Sequence, residues 1–214
     1  AHAEGGSFGF FNGGAALGWT AGKFTSRLSA SYLRSDGFSR NSAGGLNSDY
    51  QTVKAFWKGL YKSSVADVEW HAGLSSRDFG SNTFYSAKFD DQFEHTFKTY
   101  AAIQAQTHGF IKFKPSVYWN RSEDRFELIR GNSDKVPFNF HRTSVWGLNL
   151  NSWIETVAGK TAFGAEMRNE DIISTNLGEE LSSPKKIHGQ NGATYKKGLN
   201  RTNISLFLEH SVDI

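Results

Sequence analysis

Apolar and polar residues alternate with a period of two along most of the chain. In Tyr50–Ser75 the series Val53, Ala55, Trp57, Gly59 and Tyr61 is interleaved with Lys54, Phe56, Lys58, Leu60 and Lys62. After Ser63-Ser64 it resumes, with Ala66, Val68, Trp70, Ala72 and Leu74 against Asp67, Glu69, His71, Gly73 and Ser75. The same pattern marks Phe24–Tyr32, Ile111–Asn120, Thr161–Arg168 and Asn203–Glu209. Successive side chains of a strand point to opposite faces, so a half-buried strand gives this signal and a helix does not. The pattern predicts an all-β fold of about nine strands, near 7–20, 23–35, 50–62, 65–77, 94–107, 110–122, 140–155, 159–174 and 200–214.

The connections sort by length. Ala21-Gly22, Ser63-Ser64, His108-Gly109 and Val157-Ala158 are tight, whereas 36–49, 78–93, 123–139 and 175–199 are long and rich in Ser, Asn, Asp and Gly. Strict alternation of short and long predicts an antiparallel up-and-down meander with all short turns at one end. Strands of about 11–14 residues exceed the globular norm of about 5–6 and suit a tilted crossing of a bilayer, which takes about 9–11. A transmembrane barrel combines these features with an apolar outer band, a polar lumen and aromatic girdles. On that reading Trp57, Tyr61, Val68 and Trp70 face lipid, and Lys54, Lys58, Asp67 and Glu69 face water. Trp19, Phe24, Tyr61, Phe110, Phe113 and Trp153 near the short turns form a girdle. A soluble β-protein with one solvated face is the alternative. Pro115 removes a ladder hydrogen bond within a strand, and a bulge is expected there.

Composition narrows the classes. The 214 residues hold no cysteine, so disulfides and thiolate metal sites are excluded. Aromatics at 14% argue for an ordered chain. Mean hydropathy of −0.50 and the lack of a long apolar run exclude transmembrane helices. A net charge of +3, spread along the chain, gives no sign of nucleic acid as a partner. Position 1 is Ala, with no signal peptide or initiator Met, so the chain is expected to be processed or cut.

Several stretches carry a resemblance. "LSASYLRSDGF" with "SDYQTVKAFWKGLY", "RDFGSNTFYSAKFDDQFEHT", "YWNRSEDRFELIRGN" with "FNFHRTSVWGLNLN", "GKTAFGAEMRNEDIISTNLGE" and "NRTNISLFLEHSV" resemble the β-barrel of TonB-dependent outer-membrane receptors, in particular the vitamin B12-receptor-like branch. The resemblance implies a place in the bacterial outer membrane, as a single β-barrel segment over 1–214 of a 22-stranded barrel. It also implies import of a scarce small-molecule ligand such as cobalamin or an iron chelate. The plug domain and the TonB contact, absent from this sequence, would belong to other parts of the receptor. No enzymatic role and no cofactor are expected. A self-contained small barrel or adhesin, and a soluble sugar-binding β-sandwich, are the competing readings.

Among candidate site residues, Tyr85, Asp90, Asp91, Arg121, Glu123 and Arg125 fall at the long-loop end and are the expected ligand contacts. Asp90-Asp91 and Glu123-Asp124 are potential calcium ligands, although solvated loop carboxylates give the same pattern. The seven histidines show no metal-ligand spacing.

Overall fold

A computed structural model describes residues 1–38, 47–190 and 192–212. These residues form one sheet of eleven strands and no helix. The strands are β1 (His2–Gly5), β2 (Phe11–Ala21), β3 (Phe24–Ser35), β4 (Tyr50–Lys62), β5 (Ala66–Asn82), β6 (Gln92–Thr107), β7 (Ile111–Glu127), β8 (Asn139–Thr156), β9 (Gly159–Ser174), β10 (Glu179–Lys186) and β11 (Thr194–Ser211). All ten pairings are antiparallel, and the order is β1 through β9, then β11, then β10.

Nine of these strands answer the nine expected, and two are additional. β1 and β10 are short edge strands without period-two alternation; β10 reads Glu-Glu-Leu-Ser-Ser-Pro-Lys-Lys, with Pro184 tolerated because an edge strand can leave donors unpaired. The long segments also prove shorter than expected, because β5, β6 and β7 run on to Asn82, from Gln92 and to Glu127. Of the first long segment, residues 39–46 lie outside the described residues.

The meander is broken once. β9 and β10 are both antiparallel to β11 and so run the same way on its two sides. β9 ends with Ser174 opposite Lys197, and β10 begins with Glu179 opposite Gly198. The chain crosses β11 within residues 175–178. Gly178 has φ +102°, and a Cβ there would meet the Gly198 carbonyl oxygen at 2.6 Å. Glycine at both places lets two backbones touch.

Pro115 sits without a bulge, contrary to expectation. It keeps its pairing with Leu150 of β8, while the β6–β7 ladder stops at Gln104–Ser116. Below that point Thr107 replaces the ladder: its hydroxyl accepts from the Phe113 N–H (2.9 Å) and donates to the Ile111 carbonyl (3.3 Å). Phe113 points its N–H toward β6, and strand alternation gives Pro115 the same direction. The missing donor therefore falls where no ladder bond is required.

Directly paired residues share a face, so the register sorts every side chain. One face carries the row Gly59, Trp70, Ile103, Val117, Leu148, Met167 and Ile204 across seven strands. Above it run Leu17, Leu28, Trp57, Ala72, Ala101, Trp119 and Trp146. These side chains are half-buried or exposed; Leu28 is 48% exposed and Ile204 73%, and Leu206 in the next row toward the turns is 80% exposed. Five of the six tryptophans lie on this face. Trp153 is the exception, because it pairs with Lys112 and Ala162 on the polar face, 5.4 Å from the Lys160 ammonium, and so belongs to no apolar girdle. Phe110 stands in the turn between β6 and β7. The buried core is small and local: Phe140, Ile173, Ile187 and Tyr195, with Leu181, pack where β10 and the start of β11 meet the long-loop end.

Candidate ligand-binding face

The opposite face is polar. Its rows combine Arg27, Lys58 and His71; Lys54, Ser75, Lys98 and Ser122; and Thr52, Arg77, Thr96, Asp124 and His141. Two contiguous hollows open on it toward the long-loop end. One, of about 500 Å³, is lined by Lys54, Ser75, Arg77, Thr96 and Lys98 among others. The other, of about 430 Å³, shares Thr96 and Lys98 and adds Tyr85, Glu94, Ser122, Asp124 and His141.

Side-chain bonds hold the loops above these hollows. Gln92, fully buried at the start of β6, donates its amide to the Ser86 and Phe89 carbonyls (2.7 Å each) and accepts from the Tyr85 N–H (3.0 Å). This braces the loop of residues 83–91. The Asn47 amide donates to Asp91 Oδ1 and to the Gln92 carbonyl (2.8 Å each) and accepts from the Asn82 N–H (2.9 Å). The Arg130 guanidinium grips Asp49 with two bonds (2.7 and 3.0 Å) and lies 4.3 Å over the Phe93 ring. The Asp49 carboxylate raises the Arg130 pKa, fixing its charge. Glu127, 3% exposed, accepts the Gly131 N–H (2.6 Å). Segments 47–49, 83–91 and 128–138 thus form one braced rim.

The six expected contacts do not form one site. Tyr85 looks onto the polar face, its ring edge-on to Phe126 at 4.7 Å and its hydroxyl toward Glu94. That carboxylate and partial burial push its pKa up to about 12. Arg121, Glu123 and Arg125 project from β7 to the other face, above the apolar rows. Arg121 lies 5.3 Å over the Trp119 ring and donates to Ser144 Oγ (3.3 Å). Glu123 is paired with Arg142 in the register. Arg125 forms an ion pair with Glu127 (2.7 Å), while its strand borders the smaller hollow. Asp90 is exposed in its loop, and Asp91 takes the Asn47 amide. The sheet therefore stands between Tyr85 and the side chains of Arg121 and Glu123, whereas Tyr85 and Arg125 both border the smaller hollow. Period two separates them, because 121, 123 and 125 share the parity of the apolar face.

The calcium candidates are separated for the same reason. Glu123 and Asp124, as neighbours on one strand, point to opposite faces. Among the described residues no group of three or more His, Asp or Glu gathers as a metal cluster.

Sequence reasoning passed over Arg77, Lys98, Glu94, His141 and the bracing residues Asn47, Gln92 and Arg130, and took Asp124 only as a calcium candidate. Alternation places Lys54, Arg77 and Lys98 on the polar sides of their strands. Their adjacency depends on register between strands, which alternation does not carry. Comparison with protein-family models, curated proteins and solved structures finds no match.

Proposed function

We propose that this chain is part of the wall of an outer-membrane β-barrel, in a TonB-dependent receptor that binds and imports a scarce small ligand. The receptor assignment rests on the sequence resemblance. The membrane assignment is supported by one observation: the apolar band runs obliquely to the hydrogen-bonded rows.

On β3 and β4 the upper edge of the band is Tyr32 and Val53; on β9 and β11 it is Met167 and Ile204. The Met167–Ile204 row meets β3 at Ser26, so the edge falls by six residues (32 to 26) across the seven steps from β3 to β11. At about 3.3 Å per residue and about 4.8 Å per strand, that is a drop of about 20 Å over about 34 Å, an inclination of about 30°. The lower edge also descends, though less: the Phe24 row continues to Leu150 on β8 and Leu206 on β11, and the edge lies four residues below it at Ile154 and two below it at Leu208. A level slab of lipid crossing tilted strands produces this offset, and barrel strands tilt by about 35–45°. Above the band the same face turns to Arg121, Glu123, Arg142 and Asp171.

A closed small barrel would pair the first and last strands, and a sandwich would cover Trp57 with a second sheet. Among the described residues β1 and β10 stay at separate edges, and Trp57 is 40% exposed.

Leu148 lies in the middle of the band and Asn149 beside it on the polar face. Leu148→Arg is expected to cost roughly 2–4 kcal/mol in chemical unfolding from lipid vesicles, and Asn149→Arg much less. Equal costs at the two positions would remove the membrane reading.

A further inference from the structure

We infer that the polar face carries an anion-binding site centred on Ser75, with a neighbouring aromatic shelf, and that the ligand is a small organic anion bearing a planar ring. This deepens the receptor reading, on whose lumen-facing assignment it rests, by assigning the ligand's chemical class.

The register sets six hydrogen-bond donors in two rows over three adjacent strands. Thr52, Arg77 and Thr96 are directly paired across β4, β5 and β6. Two residues nearer the short turns, Lys54, Ser75 and Lys98 are likewise paired. No carboxylate interrupts these six positions. Two strand spacings separate the Lys54 and Lys98 backbones, about 10 Å, and Arg77 stands about 8 Å diagonally from each. The Arg77 guanidinium lies 4.5 Å over the Phe79 ring; once released from it, side chains of these lengths span the distance to a common point above Ser75. Lys54, Arg77 and Lys98 are all exposed to the hollow. Among the described residues none of the three is in an ion pair. The nearest carboxylates on this face border the lattice: Asp124 on β7, directly opposite His141, and Glu94 in the row above. Three cations left together within one face repel one another unless an anion joins them.

The next row toward the turns supplies the ring contacts. Tyr100 lies across Gly73, where a Cβ would meet the ring at 2.5 Å, so the glycine leaves the ring flat on the sheet. Phe56 stands 6.3 Å from Tyr100, and His71 stands 6.0 Å from Tyr100 and 6.1 Å from Phe56. A hollow of about 670 Å³ runs along this row and shares Lys54 and Ser75 with the cationic hollow. An anion over Ser75 can thus extend a ring onto Phe56 and Tyr100. Charge fixes one end and stacking the other.

Phenyl phosphate and inorganic phosphate, measured by equilibrium dialysis against the chain folded in lipid vesicles and in detergent micelles, test this. Both probes should bind, phenyl phosphate more tightly. Lys54→Gln, Arg77→Gln and Lys98→Gln should each weaken both by on the order of tenfold. Lys114→Gln, on the same face far toward the turns, should change neither. Phe56→Leu should weaken phenyl phosphate alone. Strand content by circular dichroism confirms that each variant is folded. Absence of binding, or an equal loss in Lys114→Gln, overturns the site as diffuse charge. Equal loss of both probes in Phe56→Leu overturns the aromatic shelf. Binding in micelles by a chain that does not enter vesicles removes the membrane reading and leaves this site standing.

Discussion

Glycine meets an aromatic ring across the ladder at four directly paired positions: Gly59 with Trp70, Gly73 with Tyr100, Gly147 with Tyr118, and Gly164 with Phe207. Each ring covers the backbone that its partner leaves bare, so the sheet recovers packing that glycine alone would lose. Gly59 and Gly147 are the tightest cases, and Gly59 is the more enclosed. A Cβ there would stand 2.3 Å from Trp70, which Phe24 (5.7 Å) and Trp57 (6.0 Å) hold on both sides. Trp57 is itself fixed by donating to Ser26 Oγ at 2.9 Å. With no room for the ring to swing, Gly59→Val is expected to cost about 1–3 kcal/mol in urea unfolding. A change within 0.5 kcal/mol, roughly the range of neutral surface substitutions, would mean that the ring is free to move. Tyr85 offers a titration. Its folded pKa of about 12 lies above the ordinary phenol value of 10.0, so the neutral phenol is favoured. Its contribution to stability is complete below pH 10 and fades as pH rises through about 12. The tyrosinate absorbance difference between the native chain and Tyr85→Phe should therefore develop mainly above pH 11, between those two values.

At the scale of elements, the long strands were legible because each repeats its pattern over ten or more positions. β1 and β10 were not: four residues give no period, and eight with Pro184 show none. The polar sides were legible too, which put Lys54 and Lys58 on one face with Asp67 and Glu69. Which residues become neighbours was not legible, because a shift of register leaves every alternation intact while changing every pair. That explains why the Ser75 lattice was missed; Tyr85 was grouped with Arg121, Glu123 and Arg125 because the strand was expected to end at 122, whereas β7 runs on to Glu127 and its parity carries all three to the apolar face. Pro115 makes the same point from the backbone. Its residue type signals a disrupted strand, yet the ladder to β6 ends at Ser116 and the ladder to β8 runs on through Pro115. Pro115→Ala should accordingly change stability by no more than about 0.5–1 kcal/mol. Val117→Pro, two residues on and paired with Ile103, removes a ladder bond and should cost at least about 1–3 kcal/mol. Similar costs at the two sites would place a needed donor at 115.

Across the whole molecule, the turns at Gly22, Ser63, Gly109 and Val157 lie at one end and the braced rim at the other. In the proposed barrel, single cysteines at Ser86, Ser133 and Ser182 should react with an impermeant thiol reagent on intact cells, and those at Ser63 and Val157 should not. The native chain has no cysteine to compete. Labelling at Ser63 would reverse the topology. The two lateral edges are closed only near the rim, where β1 covers Phe11–Gly14 and β10 covers Thr194–Gly198. The passage of the chain over Gly198 fixes a sequence of events in time. Every other pairing in the sheet joins strands that follow one another in the chain, so those hairpins can form singly, each from contacts local in sequence. β11, carrying β10 as its own hairpin partner, must instead dock on β9, from which the nineteen residues 175–193 separate it. The rim corner at Gly178 is thus the last part of the sheet to assemble and the first to open, and amide protons of β10 should exchange ahead of those of β7 and β8.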